Sequence, residues 1–262
     1  MRIKAGSLNL NYELTGKSGA PVVMLSHSLG ANLAMWNPQR AALEDHYQVL
    51  AYDMRGHGDS DAPEGAYTLE ELADDALRLM DALKIDQVHF VGLSIGGMIA
   101  QAMSLHHPDR LKTLVICSSS SYLPPPALPI VRERIETARS QGLSVLVDGT
   151  LERWFTPAYA REQAQTLEPI RRQFLATSVA GYIGCSEAIG KLNFIERLSS
   201  ISLPTLIMVG AEDPGTPVAA SEAIHERIKG SKLVILPSAS HLSNIEQAEL
   251  FNKHLLEFLQ AH

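Results

Sequence analysis

Cysteine is scarce in this chain: two occur in 262 residues, Cys117 and Cys185, far apart and with no metal-ligand spacing around them. A disulfide-stapled secreted scaffold or a zinc ribbon would need more thiols. Two packed, reduced thiols in a cytoplasmic protein are expected instead. Long apolar runs are also missing. No stretch approaches the roughly 18 apolar residues of a membrane span, and the opening Met-Arg-Ile-Lys-Ala-Gly turns polar too early for a signal-peptide core. Charge of one sign is not concentrated either. The net charge is −7, without the basic stripe that nucleic acid requires. No His/Asp/Glu/Cys grouping suggests a metal. Disorder would need far fewer apolar residues than the 45% present. The class left standing is a soluble globular protein with a small-molecule partner, neither nucleic-acid-bound nor membrane-bound.

What is present is rhythm. Leu8–Leu14 alternates apolar and polar residues, as a half-buried strand should. Val22–Leu25, Val49–Tyr52, Val88–Val91, Leu114–Cys117, Leu206–Val209 and Leu233–Leu236 are short unbroken apolar runs suited to strands covered on both faces. Between them lie segments of helical period. In one, Leu69, Leu72, Ala73, Ala76, Leu79, Met80 and Leu83 recur three and four apart, after Thr68 as N-cap with Glu70 and Glu71 in the first turn. Ile95–His106 and Asn244–Leu259 also suit helices. The alternation predicts an α/β fold, a mainly parallel central sheet flanked by helices. One region departs from it. A Ser-Ser-Ser-Ser-Tyr-Leu-Pro-Pro-Pro stretch opens a helical segment without a strand, so residues 119–188 are expected to form a cap insertion on a core of 1–118 and 189–262.

The chemistry centres on Gly92-Leu93-Ser94-Ile95-Gly96, between the run Val88–Val91 and a helical segment. That is the strand–turn–helix setting of a nucleophile elbow. The turn is tight enough that residues two before and two after the serine must be almost side-chain-free. Ser94 is then forced into a strained conformation that exposes its hydroxyl. A serine hydroxyl needs a base, and of ten histidines His241 is singled out by following the last core strand. Asp213 follows the run Leu206–Val209, in Gly-Ala-Glu-Asp-Pro-Gly. The order Ser94, Asp213, His241, each on a loop after a strand, predicts a catalytic triad in which His241 takes the serine proton and Asp213 orients the imidazole. Rival readings stand beside each assignment: Asp213 as turn chemistry, Glu212 as the acid, His241 as structural. The oxyanion hole is expected from the backbone N–H groups of Ile95 and of Leu29 in Ser26-His-Ser-Leu-Gly. Asp53–Ser60, with Arg55 and His57, reads as a structural loop. An aspartate in place of Ser94 would have suited dehalogenase or epoxide-hydrolase chemistry.

Across nearly its whole length the chain resembles the α/β-hydrolase superfamily, through the Asp53–Ser60 loop, the Gly92–Gly97 elbow, the acid loop and the Ala239–Leu242 histidine loop. More narrowly it resembles the 3-oxoadipate enol-lactonases of the bacterial β-ketoadipate pathway. The carrying segments are Ser26–Trp36, Tyr52–Ser60 and Glu152-Arg-Trp-Phe-Thr-Pro157. His27-Ser28 stands where many relatives carry His-Gly. The resemblance implies hydrolysis of an enol-lactone through an acyl-enzyme, without a cofactor. The lactone keeps a free carboxylate, so a cation should meet it. The segment Tyr122 to Glu187 has seven arginines and no lysine. Arg153 is the expected carboxylate ligand and Trp154 a pocket wall, with solvated arginines and a packed tryptophan as the plainer readings. A broad carboxylesterase or arylesterase with perhydrolase side activity, or a non-catalytic ligand-binding protein on the same fold, remain alternatives. The oligomeric state is left open.

Overall fold

The computed structural model describes residues 1–262. Eight strands form one sheet: β1 (Arg2–Ala5), β2 (Leu8–Gly16), β3 (Val22–Ser26), β4 (Gln48–Tyr52), β5 (Val88–Leu93), β6 (Leu111–Cys117), β7 (Thr205–Gly210) and β8 (Lys232–Leu236), ordered β1-β2-β4-β3-β5-β6-β7-β8. The pairs β1/β2 and β2/β4 are antiparallel, and every other pair is parallel. The helices are α1 (Asn37–Leu43), α2 (Leu69–Ala82), α3 (Ile95–His106), α4 (Leu128–Gln141), α5 (Val147–Trp154), α6 (Pro157–Glu162), α7 (Ala164–Ala176), α8 (Val179–Gly190), α9 (Val218–Arg227), α10 (Ser243–Glu246) and α11 (Ala248–Gln260).

The apolar runs explain the layering. Successive residues of a strand point to opposite faces, so Met24, Leu50, Phe90, Leu114 and Ile207 pack with α2, α3 and α9, while Val23, Val49, Val91, Val115 and Leu206 pack with α1 and α11. Thr68 caps α2 as expected. Its hydroxyl accepts from Glu71 N at 3.1 Å and its own N–H donates to Glu71 Oε2 at 2.8 Å, a reciprocal capping box. Helices α4 to α8 all fall between β6 and β7, and the ends of this insertion are clasped where Tyr122 bridges Asn193.

Three expectations change. Strand β1 has no counterpart in the sequence reading, because four residues show no period. Strand β8 is not covered on both faces: it is the sheet edge, and Ile235 is 45% exposed. An apolar run reports the inward faces of a strand but not whether a neighbour lies beyond it. The last helix is also broken at Gln247 (φ −120°, ψ 47°), separating α10 beside the histidine loop from α11 on β7 and β8.

The order places β3 where the chain's direction of sheet growth reverses, with β4 on one side and β5 on the other. A crevice opens at the carboxyl ends of strands at such a point. The loops after β3, β5, β7 and β8 carry Leu29, Ser94, Asp213 and His241.

Candidate active site

Ser94 lies between β5 and α3 with φ 59° and ψ −118°, a conformation that costs a non-glycine residue roughly 1–3 kcal/mol. The surroundings impose it. A side chain at Gly92 would place its Cβ 2.0 Å from Gly96 O, and one at Gly96 would meet Ser26 O at 2.1 Å. Ser94 N donates to Cys117 O at 2.9 Å, and Ser94 O accepts from Ser119 Oγ at 2.8 Å, so the neighbouring strand β6 and its serine run hold the turn from outside.

His241 Nδ1 lies 2.8 Å from Asp213 Oδ2. An ionised carboxylate only accepts, so Nδ1 carries the proton and Nε2 of the neutral ring is left basic. Asp213 is buried and held by further donors: Thr216 Oγ1 at 2.7 Å to Oδ2, and the N–H groups of Gly215 and Thr216 at 2.8 and 3.0 Å to Oδ1. Burial alone would raise its pKa. The His241 and Thr216 hydrogen bonds, with the attraction of a positive His241 whenever that ring is protonated, outweigh burial and keep it below the ordinary carboxylate value. Turn and acid are therefore one residue, since the carboxylate that closes the Asp-Pro-Gly-Thr turn is the one that meets the histidine. Glu212 is exposed, and the carboxylate hydrogen-bonded to His241 is that of Asp213.

Both expected oxyanion donors are unused. Ile95 begins α3, so its N–H has no intrahelical partner, and neither it nor the Leu29 N–H donates to any group of the protein. The Leu29 loop is pinned from the Asp53–Ser60 loop. Gly30 N donates to His57 Nε2 at 3.0 Å, Leu33 N to Asp53 Oδ1 at 2.8 Å, and Met54 N to His27 Nε2 at 3.0 Å. The His27 ring in turn donates from Nδ1 to Ser28 O at 2.8 Å. Both rings must be neutral to accept in this way. Burial lowers the His27 pKa to about 4, and burial followed by the nearby His27 lowers that of His57 to about 3. Arg55 forms a buried ion pair with Asp75 of α2 instead of reaching the site.

Ser94, His241 and Leu29 border one cavity of about 630 Å³, closed on the far side by the inserted helices. Trp154 stands in its wall, buried, with Phe174 edge-on at 5.9 Å, so it lines the pocket and packs the insertion at once. Arg153 borders the same space. So does Arg134, which the sequence does not distinguish from the five arginines of the insertion other than Arg153. Thr216 was also missed, as was Glu246. Glu246 accepts from Thr156 N and Oγ1, both at 2.8 Å, and from Ser240 N at 2.5 Å, tying the start of α6 to the histidine loop. The sequence signal for Thr216 was its place in the acid turn; for Glu246 there was none. No group of three or more His, Cys, Asp or Glu is assembled to hold a metal ion.

This arrangement has close relatives. The family model described as the α/β hydrolase fold matches residues 21–248. The chain is 35% identical to 3-oxoadipate enol-lactonase 2 of Acinetobacter baylyi over 97% of its own length and 94% of the relative's. The crystal structure of the enol-lactonase from Burkholderia xenovorans LB400 superposes with a TM-score of 0.96 at 38% identity, covering 99% of this chain and 100% of that one. A thermophilic esterase from Thermogutta terrifontis, solved with malate bound, gives a TM-score of 0.92 at 29% identity, covering 100% and 98%. Sheet order, elbow geometry and matched length agree: the chain belongs to the α/β hydrolase fold family.

Proposed function

We propose that the protein is a serine hydrolase that cleaves a carboxylic ester or lactone through an acyl-enzyme, with 3-oxoadipate enol-lactone as substrate. The observation that carries this reading is the Asp213–His241 hydrogen bond at the rim of a cavity shared with the strained Ser94. In this mechanism Ser94 Oγ attacks the lactone carbonyl carbon while His241 Nε2 accepts the hydroxyl proton. The carbonyl oxygen, now negative, is met by the free N–H groups of Leu29 and Ile95. Collapse breaks the ring C–O bond. His241 returns its proton to the departing enol oxygen, which stays tethered to the acyl chain and tautomerises to the ketone. Water, deprotonated by His241, then attacks the acyl carbon and releases Ser94 and a carboxylate. No cofactor enters. The enol-lactonase relatives support the choice of a lactone.

A second reading, a broad carboxylesterase or arylesterase, is favoured by the apolar part of the cavity wall, where Met98, Val131, Ile189 and Leu192 would accept a neutral acyl or aryl group. The deciding measurement is kcat/KM on the enol-lactone, generated in situ, beside p-nitrophenyl acetate. A lactone value in the range of about 10⁴–10⁸ M⁻¹s⁻¹, far above the ester's, supports the lactonase; an ester preference rejects it in favour of the esterase. Ser94→Ala should remove nearly all turnover with the fold intact by circular dichroism, and a serine-directed phosphonate should label Ser94 stoichiometrically. Near-normal turnover in Ser94→Ala would overturn the serine mechanism. No turnover of any ester by the intact protein would leave a ligand-binding role.

A further inference from the structure

The Leu29 N–H makes no hydrogen bond within the protein, so its direction depends on the turn that carries it. Ala31 N donates to Ser28 O at 3.1 Å across that turn, and Gly30 takes φ 77°, as the third residue of a type II turn must. Two groups hold it. From the core side, His57 Nε2 accepts the Gly30 N–H. From the insertion, the ring of Phe174 on α7 lies against Gly30: a Cβ there would come 2.5 Å from Cδ2 and 2.7 Å from Cε2.

Phe174 has little freedom to swing away. It is fully buried, with the rings of Trp154 and Tyr182 packed edge-on at 5.9 and 5.8 Å. The Tyr182 hydroxyl accepts from Arg134 Nε at 3.2 Å and Nη2 at 2.7 Å, and Trp154 O accepts from Leu242 N, beside His241, at 3.0 Å. Three rings therefore connect the histidine loop to the oxyanion turn. Helix α8 backs the other hold as well. Gly181 faces Gly56, next to His57, so closely that a Cβ on either would overlap the other's backbone. An oxyanion donor is useful only at hydrogen-bond distance from where the negative oxygen forms. Drift of the turn would therefore penalise the transition state and leave substrate binding nearly untouched.

We infer that Phe174 is a positioning residue for the reaction: its ring, packed by Trp154 and Tyr182 against Gly30, keeps the Leu29 N–H aimed at the oxyanion. This rests on the serine-hydrolase reading, but one arm of the test does not depend on turnover. Phe174→Leu keeps an apolar side chain and removes the ring. With p-nitrophenyl acetate its kcat should fall by about tenfold to a hundredfold, less than loss of the whole donor, while KM stays within about threefold. Phenylboronic acid, whose adduct on Ser94 is tetrahedral and anionic, should bind more weakly by a factor similar to the fall in kcat. Phe258→Leu, which replaces a buried phenylalanine near the end of α11 that packs on His262, should change neither. By NMR, hydrogen exchange of the Gly30 N–H should accelerate at least about tenfold in Phe174→Leu, with the amides of β5 and β6 unaffected. Should that variant fail to fold, Phe174→Met, flexible and without a ring, carries the same measurements. Full kcat in the folded variant, a kcat loss with boronate affinity intact, an equal loss in Phe258→Leu, or unchanged Gly30 exchange overturns the role. If the unaltered protein cleaves no ester while Gly30 exchange depends on Phe174, the mechanism falls and the hold on the turn stands.

Discussion

At the scale of single residues, the site is built by excluding side chains as much as by placing them. The elbow closes because Gly96 lies against Ser26 O and Gly92 against Gly96 O. Gly96→Ala should therefore cost about 3 kcal/mol or more, since the new Cβ would meet the Ser26–His27 backbone, which cannot swing aside as a side-chain tip could. A urea-denaturation midpoint close to that of the unaltered protein would show that the turn is looser than described. Asp213 illustrates a complementary economy. Four donors converge on its carboxylate, from His241, Gly215 and Thr216, so orienting the imidazole and closing the turn are one task.

At the scale of elements, the histidine loop is fastened to the insertion and not only to the sheet. Ser240 Oγ donates to Arg153 O at 2.8 Å and Leu242 N to Trp154 O at 3.0 Å, so the end of α5 and the loop carrying His241 move together. Glu246 of α10 completes the fastening through Thr156 and Ser240. Glu246→Ala would strand three donors in a partly buried place. With each unmet donor costing about 1–3 kcal/mol, we expect a loss of roughly 2–4 kcal/mol after relaxation, together with about a tenfold fall in kcat. Thermal unfolding and steady-state kinetics on the same preparation check both. Destabilisation with kcat unchanged would mean that Glu246 holds the insertion but does not steady the histidine.

For the whole molecule, the buried neutral histidines make stability depend on pH. An unfolded histidine takes up its proton near 6.5, whereas His57 and His27 in the folded protein resist protonation down to about 3 and about 4. Between those values the unfolded chain binds more protons, so stability rises with pH and is lost as pH falls. Asp213, with its lowered pKa, adds a loss of the same sign at more acidic pH. The calorimetric Tm should therefore drop from pH 6.5 to pH 4. His57→Gln keeps an acceptor for Gly30 N but removes one titrating ring, and should flatten the slope. An equally steep slope in the variant would exonerate His57.

Seven of the eight strands, the elbow, and the positions of Asp213 and His241 just past strand ends are legible in the chain because each is local: alternating or apolar runs bounded by turns, and glycines flanking Ser94. Period and spacing encode such features directly. The sequence could not say that β8 is an edge, since a run such as Leu233–Leu236 reads the same whether or not a ninth strand lies beside it. Nor could the sequence add Arg134 to Arg153 as an arginine bordering the cavity. Arg134 differs from Arg132 only in the direction its helix faces, and that is fixed by Tyr182, Thr150 and the packing of α4 on α8. The roles of His57 and Glu246 are likewise tertiary, because the groups they hold lie 27 and 90 residues away along the chain. Contacts between distant segments leave no periodic trace, so only the folded chain brings them together.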